Sequence, residues 1–547
     1  MVKKAVGAIS VASLIGCMSI LGSCGFGERT QSYDPNKSQV VVGLMQGGVG
    51  RAWLDEIAAN YMTDHPDVEI VIPDPKSSEY NNNNLQTSIE TSGIDIYFVN
   101  DIYLRDFVAR GYVKDITDIV TEEDENGRSI AGSINNDLLR EAFQVNGRYY
   151  GLPYFMTTFN TVYDVDLFES RNLYYNEAGT GFVKSVTETR SAGPDGKPDT
   201  SDDGLPATYS QFKELLAEMR RQNIIPYVWC GKHVYYQQRM LAGWWADYEG
   251  ADNFNLNMTF DGEYTFPAGT LTDEEVAEYG ATVNGDGTQT VTITDENAFL
   301  LQKQPGKKYG TQLAYDIMSN SLNYSANAPS PSQTNIMAQD EYLNSTTTDK
   351  PIAFICEGGW WENEARLTFN AMARDDEQYA YGTRRFASLP IPKADDGSSA
   401  EGRTIFVGGT RSSVIINEHA THPDLAVDFF KYLHSDEAMN IFLKHTGVAR
   451  PYNFELDDSV YDSLTYFQKE QYDLMNDENV GLAFFDLSTN DLRLNNISYF
   501  NSWLWTSKVD QTWNDPLSAF YNDQNLTVDE YFDGLSAYYE GTWPKKA

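Results

Sequence analysis

The chain has 547 residues, more than one hydrophobic core usually serves, so two or more lobes are expected. Its 79 acidic side chains against 40 basic ones give a formal charge of -39, a field that repels nucleic acid and excludes polyanionic partners. Hydrophobic residues make up 41% of the chain, which excludes both a disordered polypeptide and one embedded in a bilayer; the carboxylates read first as a solubilising coat and second as a lure for a cationic ligand.

At the N-terminus, Lys3 and Lys4 precede an apolar run over residues 5–21, the charged and apolar regions of an export signal. An uncleaved spanning helix would need about 20 apolar residues, and this run is broken by Gly and Ser. The run ends in Leu21-Gly22-Ser23-Cys24, which resembles a bacterial lipobox, so residues 1–23 are expected to be removed and Cys24 to carry a lipid. An earlier Leu14-Ile15-Gly16-Cys17 fits the same pattern, but cleavage there would leave an apolar stretch at the new terminus. Residues 24–38, rich in Gly, Ser, Asn and Asp, read as a flexible tether. Only Cys230 and Cys356 then remain, as one bridge or as two buried thiols, and no cysteine-rich metal site is available.

Residues 39–45 read as a buried strand, followed by a Gly47-Gly48-Val49-Gly50 loop, an amphipathic helix over 53–61 and a second strand over 68–72. Strand, helix, strand implies parallel pairing and an α/β lobe. A third strand over 95–99 ends in Asn100-Asp101, with a helix over 104–110 closed by Gly111. In open α/β sheets ligands bind outside the carboxyl ends of the strands, which makes Gln46, Asn100, Asp101 and Tyr103 candidate contacts beside their other reading as turn and cap residues.

Residues 149–168 form an extended aromatic segment interleaved with hydroxyls, read as a crossing between lobes that carries Tyr154 and Thr157. Residues 170–205 are loop-like, and Pro206 is expected to open a helix with residues 212–219 on its apolar face. Residues 251–298 read as an inserted β element, 404–409 and 413–416 as strands, 426–433 and 438–445 as helices, and 461–539 as helical and aromatic.

In this order the segments resemble the extracellular solute-binding protein family of carbohydrate importers, the group that includes maltose-binding protein. The marks are the lipobox, residues 95–99 with their polar pair, Arg110-Gly111-Tyr112-Val113-Lys114-Asp115-Ile116, Tyr150-Gly151-Leu152-Pro153-Tyr154, residues 353–360 and Phe406-Val407-Gly408-Gly409. The resemblance covers nearly all of the mature chain. It implies an α/β, periplasmic-binding-protein-like fold: two lobes joined by a hinge, with the ligand in the cleft. Lobe 1 would comprise residues 39–154 and 411–450; lobe 2, residues 155–410 and 451–547, with inserts near 170–205 and 251–298. Crossings are placed near 154–160, 404–411 and 450–453. The implied partners are a carbohydrate and the permease subunits of an ATP-binding-cassette (ABC) importer, with the membrane met through the lipid alone and the protein a monomer on the extracellular face.

A sugar offers an apolar C–H face and a belt of hydroxyls, so its binder needs aromatic platforms and planar polar groups. Ten Trp and 35 Tyr supply them. Trp244, Trp245, Trp503 and Trp505 read as core. Trp360 follows Gly358-Gly359, where backbone can approach a ligand, and resembles the family's Gly-x-Trp stacking position; Trp229 is the second platform, and Glu362, Gly408 and Gly409 complete the set.

Asp195, Asp199, Asp202 and Asp203 lie within ten residues and could wrap Ca²⁺ or form a solvated acidic turn, since the third-position carboxylate and closing Glu of an EF-hand are missing. No other cofactor is implied. No serine-hydrolase, P-loop or zinc-protease motif is present. Two rivals to the importer component remain, a glycoside hydrolase with paired carboxylates and a surface lectin, the latter disfavoured by alternating strands and helices.

Overall fold

The computed structural model describes residues 34, 36–73, 80, 82–100, 102–228, 230–319, 332–408, 412–485, 487–500, 503–505 and 515–544. The expected export signal with Cys24, and the candidates Asp101, Trp229 and Gly409, lie outside the described residues.

Two separate sheets organise the molecule. The first has the spatial order Val68–Val71, Ser38–Leu44, Ile96–Val99, Ser413–Ile416, Leu152–Pro153. Val40 lies opposite Ile70 and Val42 opposite Ile96 in parallel register, whereas Val414 meets Phe98 antiparallel. These strands are almost continuously apolar because both faces are covered. Trp53, Phe429 and Phe442 pack with Val42 and Phe98 on one side; Tyr80, Leu85 and Tyr97 pack with Ile415 on the other. Gly447, at φ +69°, ends the helix Asp436–Thr446, which Ser435 caps.

The second sheet runs Val480–Phe484, Arg403–Gly408, Thr157–Asp164, Ile352–Gly358, Ile225–Val228, with Phe386–Ser388 added beside Thr157–Asp164. Thr157–Asp164 is antiparallel to both neighbours and the other long pairs are parallel. The strand Val480–Phe484 falls in a stretch expected to be helical; its five residues alternate too little to separate a short strand from a buried helix. The helix after the long loop begins at Tyr209 rather than Pro206, because Thr208 and Gln211 form a reciprocal capping box.

The expected β insert opens instead with helix Ala251–Thr259. Phe254, Leu256 and Met258 alternate with polar residues, a strand-like pattern that the helix tolerates because it is buried on more than one side, Asn257 included. An antiparallel three-stranded sheet of Gly262–Phe266, Gln289–Ile293 and Thr282–Val283 follows. Trp245, Trp503 and Trp505, each no more than 1% exposed, and Trp244 form the core expected of them. No helix among the described residues is long and apolar enough to cross a membrane.

The chain passes from the first sheet to the second between Pro153 and Thr157 and returns between Gly408 and Ser413. Residues 450–455 still belong to the first lobe: the Asn453 amide donates to the Ser133 carbonyl, and the Tyr452 hydroxyl donates to Pro153 O at 3.0 Å. The last passage comes at Thr465, whose hydroxyl donates to the Glu362 carboxylate in the second lobe.

Candidate functional site

The carboxyl ends of the parallel strands in the two sheets are joined by direct contacts. Asn363 Nδ2 donates to Gly48 O at 2.8 Å, and Arg105 Nη2 lies 2.6 Å from Asp491 Oδ1. Gly48 sits so close to Trp360 that a Cβ there would lie 2.3 Å from the indole ring. The crevice therefore runs between the loops after Ser38–Leu44 and Ile96–Val99 on one lobe and those after Ile352–Gly358 and Val480–Phe484 on the other, the place where open α/β sheets hold ligands.

Trp360 is half-buried and packs against the cores of both lobes. Phe159 and Phe155 meet it nearly perpendicular, with ring centroids 5.1 and 6.3 Å away. The indole is thus held by Phe155 and Phe159, with the Gly48 backbone of the other lobe against it. Beside it the Arg239 guanidinium stands 4.2 Å from the Phe159 ring centroid, 4.6 Å from Phe485 and 4.9 Å from Tyr235, whose own ring is 39% exposed. Arg239, Tyr235, Asn363 and Arg105 were not among the sequence candidates. Asn363 and Arg105 lie in the short helices that follow strands Ile352–Gly358 and Ile96–Val99, and Tyr235 and Arg239 lie in helix Tyr235–Glu249, which follows strand Ile225–Val228.

On the first lobe Gln46, Asn100 and Tyr103 are half-buried at the strand ends. Among the described residues, nothing donates to the buried Asn100 Oδ1 and nothing accepts from the buried Arg105 Nε. Tyr154 differs. It is fully buried, its ring 4.7 Å from Phe98 and 5.7 Å from Trp53, so it belongs to the core beneath the crevice rather than to its wall.

Three further candidates serve packing. Glu362 is 1% exposed and accepts from Thr465; burial pushes its carboxyl up to about 7, against the lowering pull of that hydrogen bond and of Arg366 and Arg384. Gly408 leaves room for Phe159, whose ring would lie 2.5 Å from a Cβ there, and Gly359 leaves room for the Thr157 hydroxyl in the same way, so these glycines admit protein side chains. Thr157 is buried at the crossing and lines a cavity of about 30 Å³ with Thr158, Arg450 and Gln471.

Under the second lobe's edge, Glu357 is 1% exposed and held by Gln339 Nε2 at 3.2 Å and the Gly358 amide at 3.3 Å. Gln339 Nε2 also donates to Glu364 at 2.7 Å. Burial first, and the neighbouring Glu364 second, push the Glu357 carboxyl well above the usual range. Cys230 and Cys356 are free, buried thiols that donate to Gln333 O and Tyr236 O.

The acidic loop does not gather its carboxylates. Asp202 accepts from the Asp195 amide at 3.0 Å, Asp203 from the Asp199 amide at 2.9 Å, and Asp195 from the Lys197 amide at 2.7 Å. Among the described residues no group of three or more His, Cys, Asp or Glu could hold a metal ion.

Known proteins of this architecture fit the same frame. The raffinose complex of the solute-binding protein RafE superposes with a TM-score of 0.51 at 14% identity, covering 93% of this chain and 100% of that one. The GacH receptor of Streptomyces glaucescens, solved with acarbose, gives 0.52 at 12% identity over 93% and 98%. The maltotriose-binding protein of Thermus thermophilus gives 0.51 at 14% over 91% and 98%. No curated protein sequence matches the chain. At these identities the superpositions establish the two-lobed fold. The signature of bacterial extracellular solute-binding proteins matches residues 47–440, most of the chain, and the protein belongs to that family.

Proposed function

We propose that the protein is the carbohydrate-capturing component of an ABC importer, holding a neutral oligosaccharide in the interlobe crevice and presenting it to the permease. The observation that carries this reading is the half-buried Trp360 set between both lobe cores, with hydrogen-bonding side chains on the strand ends opposite. Stacking on a C–H face together with planar amides and a guanidinium is what a saccharide requires. Support also comes from the neighbours of the same fold solved with raffinose, acarbose and maltotriose. The lipobox-like Leu21-Gly22-Ser23-Cys24 would tether the protein to the outer face of the membrane through Cys24, as a monomer with no catalytic role.

The test is a thermal-shift screen of di- to tetrasaccharides followed by calorimetry, since a ligand that binds only the folded form raises Tm. Saturable binding with the saccharide recovered intact supports the reading. Release of new reducing ends would replace it with a hydrolase.

A further inference from the structure

We propose that Asn100 and Arg105 receive hydroxyl groups of the bound saccharide, and that Arg105 couples this capture to contact between the lobes. The assignment rests on the saccharide reading above. Asn100 directly follows strand Ile96–Val99, and Arg105 is the second residue of the next helix, Leu104–Ala109. Among the described residues, one offers a buried acceptor with nothing donating to it, Asn100 Oδ1, and the other a buried donor with nothing accepting from it, Arg105 Nε. Buried polar atoms are nearly always paired in folded proteins, so two unpaired atoms of opposite sense, one at the strand's end and one in the first turn of the helix that follows it, call for an outside group.

The pairing selects a class of ligand. A hydroxyl both donates and accepts, so hydroxyls satisfy both atoms. A carboxylate supplies an acceptor for Arg105 but no donor for Asn100 Oδ1, and an ammonium supplies a donor for Asn100 but no acceptor for Arg105 Nε. Neutral, hydroxyl-rich ligands are therefore favoured over acidic or basic ones.

The remainder of the guanidinium reaches the other lobe, where Nη2 lies 2.6 Å from Asp491 Oδ1. Asp491 is 74% exposed, so this ion pair alone is weak. A guanidinium is planar and rigid, however, and fixing Nη2 fixes the direction of Nε. Lobe contact thus aims the donor at the ligand, and a ligand that engages Nε favours the lobes in contact.

Calorimetry on the full chain tests this, with neutral di- to tetrasaccharides of glucose, galactose, mannose and xylose and the matching uronates as probes. Arg105→Ala is expected to weaken the tightest neutral saccharide by about tenfold or more, the size of one charge-assisted hydrogen bond. Arg105→Lys, which keeps the charge and loses Nε, should lose most of the same affinity. Asp491→Asn should cost only about threefold, in keeping with an exposed ion pair, and should cost nothing further in the Arg105→Ala background. Uronates should bind more weakly than their neutral counterparts. The ligand-free Tm of Arg105→Lys, matching wild type, serves as the folding control. Binding by Arg105→Lys within about twofold of wild type, or equal losses in Arg105→Lys and Asp491→Asn, overturns the ligand contact while leaving the saccharide reading intact. A wild-type protein that binds no member of the panel overturns that reading and this assignment with it.

Discussion

Tyr154 and Trp360 occupy equivalent places on the two lobes, each an aromatic residue just beyond a strand's carboxyl end, yet one is core and the other faces the crevice. Tyr154 keeps its backbone in the sheet: its amide donates to Ser412 O, and its carbonyl accepts from Arg450 Nε at 3.0 Å. The alternation of a strand then sends its ring down among Trp53, Phe98 and Phe442. Trp360 comes after two glycines, has left the strand, and stands at the entry to helix Trp361–Glu364, so its ring is free to lie between lobes. Position along a strand selects candidates; whether the backbone is still hydrogen-bonded into the sheet decides which of them face a ligand.

The sharpest way to break this contrast is to truncate the buried ring. Tyr154→Ala should lower stability by about 3–5 kcal/mol, as for other large aromatics removed from cores, while a folded fraction keeps its saccharide affinity; a selective loss of affinity with unchanged urea midpoint would return Tyr154 to the site. Next in size is Glu362, another candidate that the structure buries. Its carboxyl is raised from 4.5 to about 7, so the folded state holds a proton that the unfolded chain releases. The stability it confers is complete below about pH 4.5 and is lost as pH rises to about 7, at up to about 1.4 kcal/mol per pH unit. Glu362→Gln should flatten that part of the stability-versus-pH curve and leave binding unchanged.

Trp360→Ala should do the reverse of Tyr154→Ala. Affinity should fall by about 1–3 kcal/mol, roughly fivefold to 150-fold, with a smaller effect on Tm, measured by calorimetry and thermal unfolding together. The smallest effect is expected at the acidic loop. Because its carboxylates already accept from their own amides, EDTA should leave Tm within about 1 °C and affinity unchanged.

The parallel strands were legible because buried strands in doubly covered sheets are continuous apolar runs with glycine or polar residues at their ends, as at Val40–Leu44 and Ile96–Val99. Ala251–Thr259 and Val480–Phe484 were not, since an alternating buried helix and a five-residue strand each imitate the other's pattern. The strand-end rule selected Gln46, Asn100 and Tyr103, and the structure places them half-buried beyond those strands. Arg239 and Arg105 did not, because an arginine early in a helix looks like any solvated charge until tertiary structure places rings or a carboxylate beside it. Glu362 and Gly408 were misplaced for the converse reason: adjacency to a site residue says nothing about the direction a neighbour faces.

The first crossing between lobes is clamped on both sides of a very short interval. Arg450 holds the Tyr154 carbonyl and, through Nη1, that of Leu433, while Thr158 is engaged by Gln471 and its carbonyl accepts from the Gly359 amide at 3.0 Å. Only Phe155, Met156 and Thr157 lie between. Three residues supply a handful of adjustable torsions and almost no slack, so along this strand the two halves can pivot about a local axis but cannot slide apart.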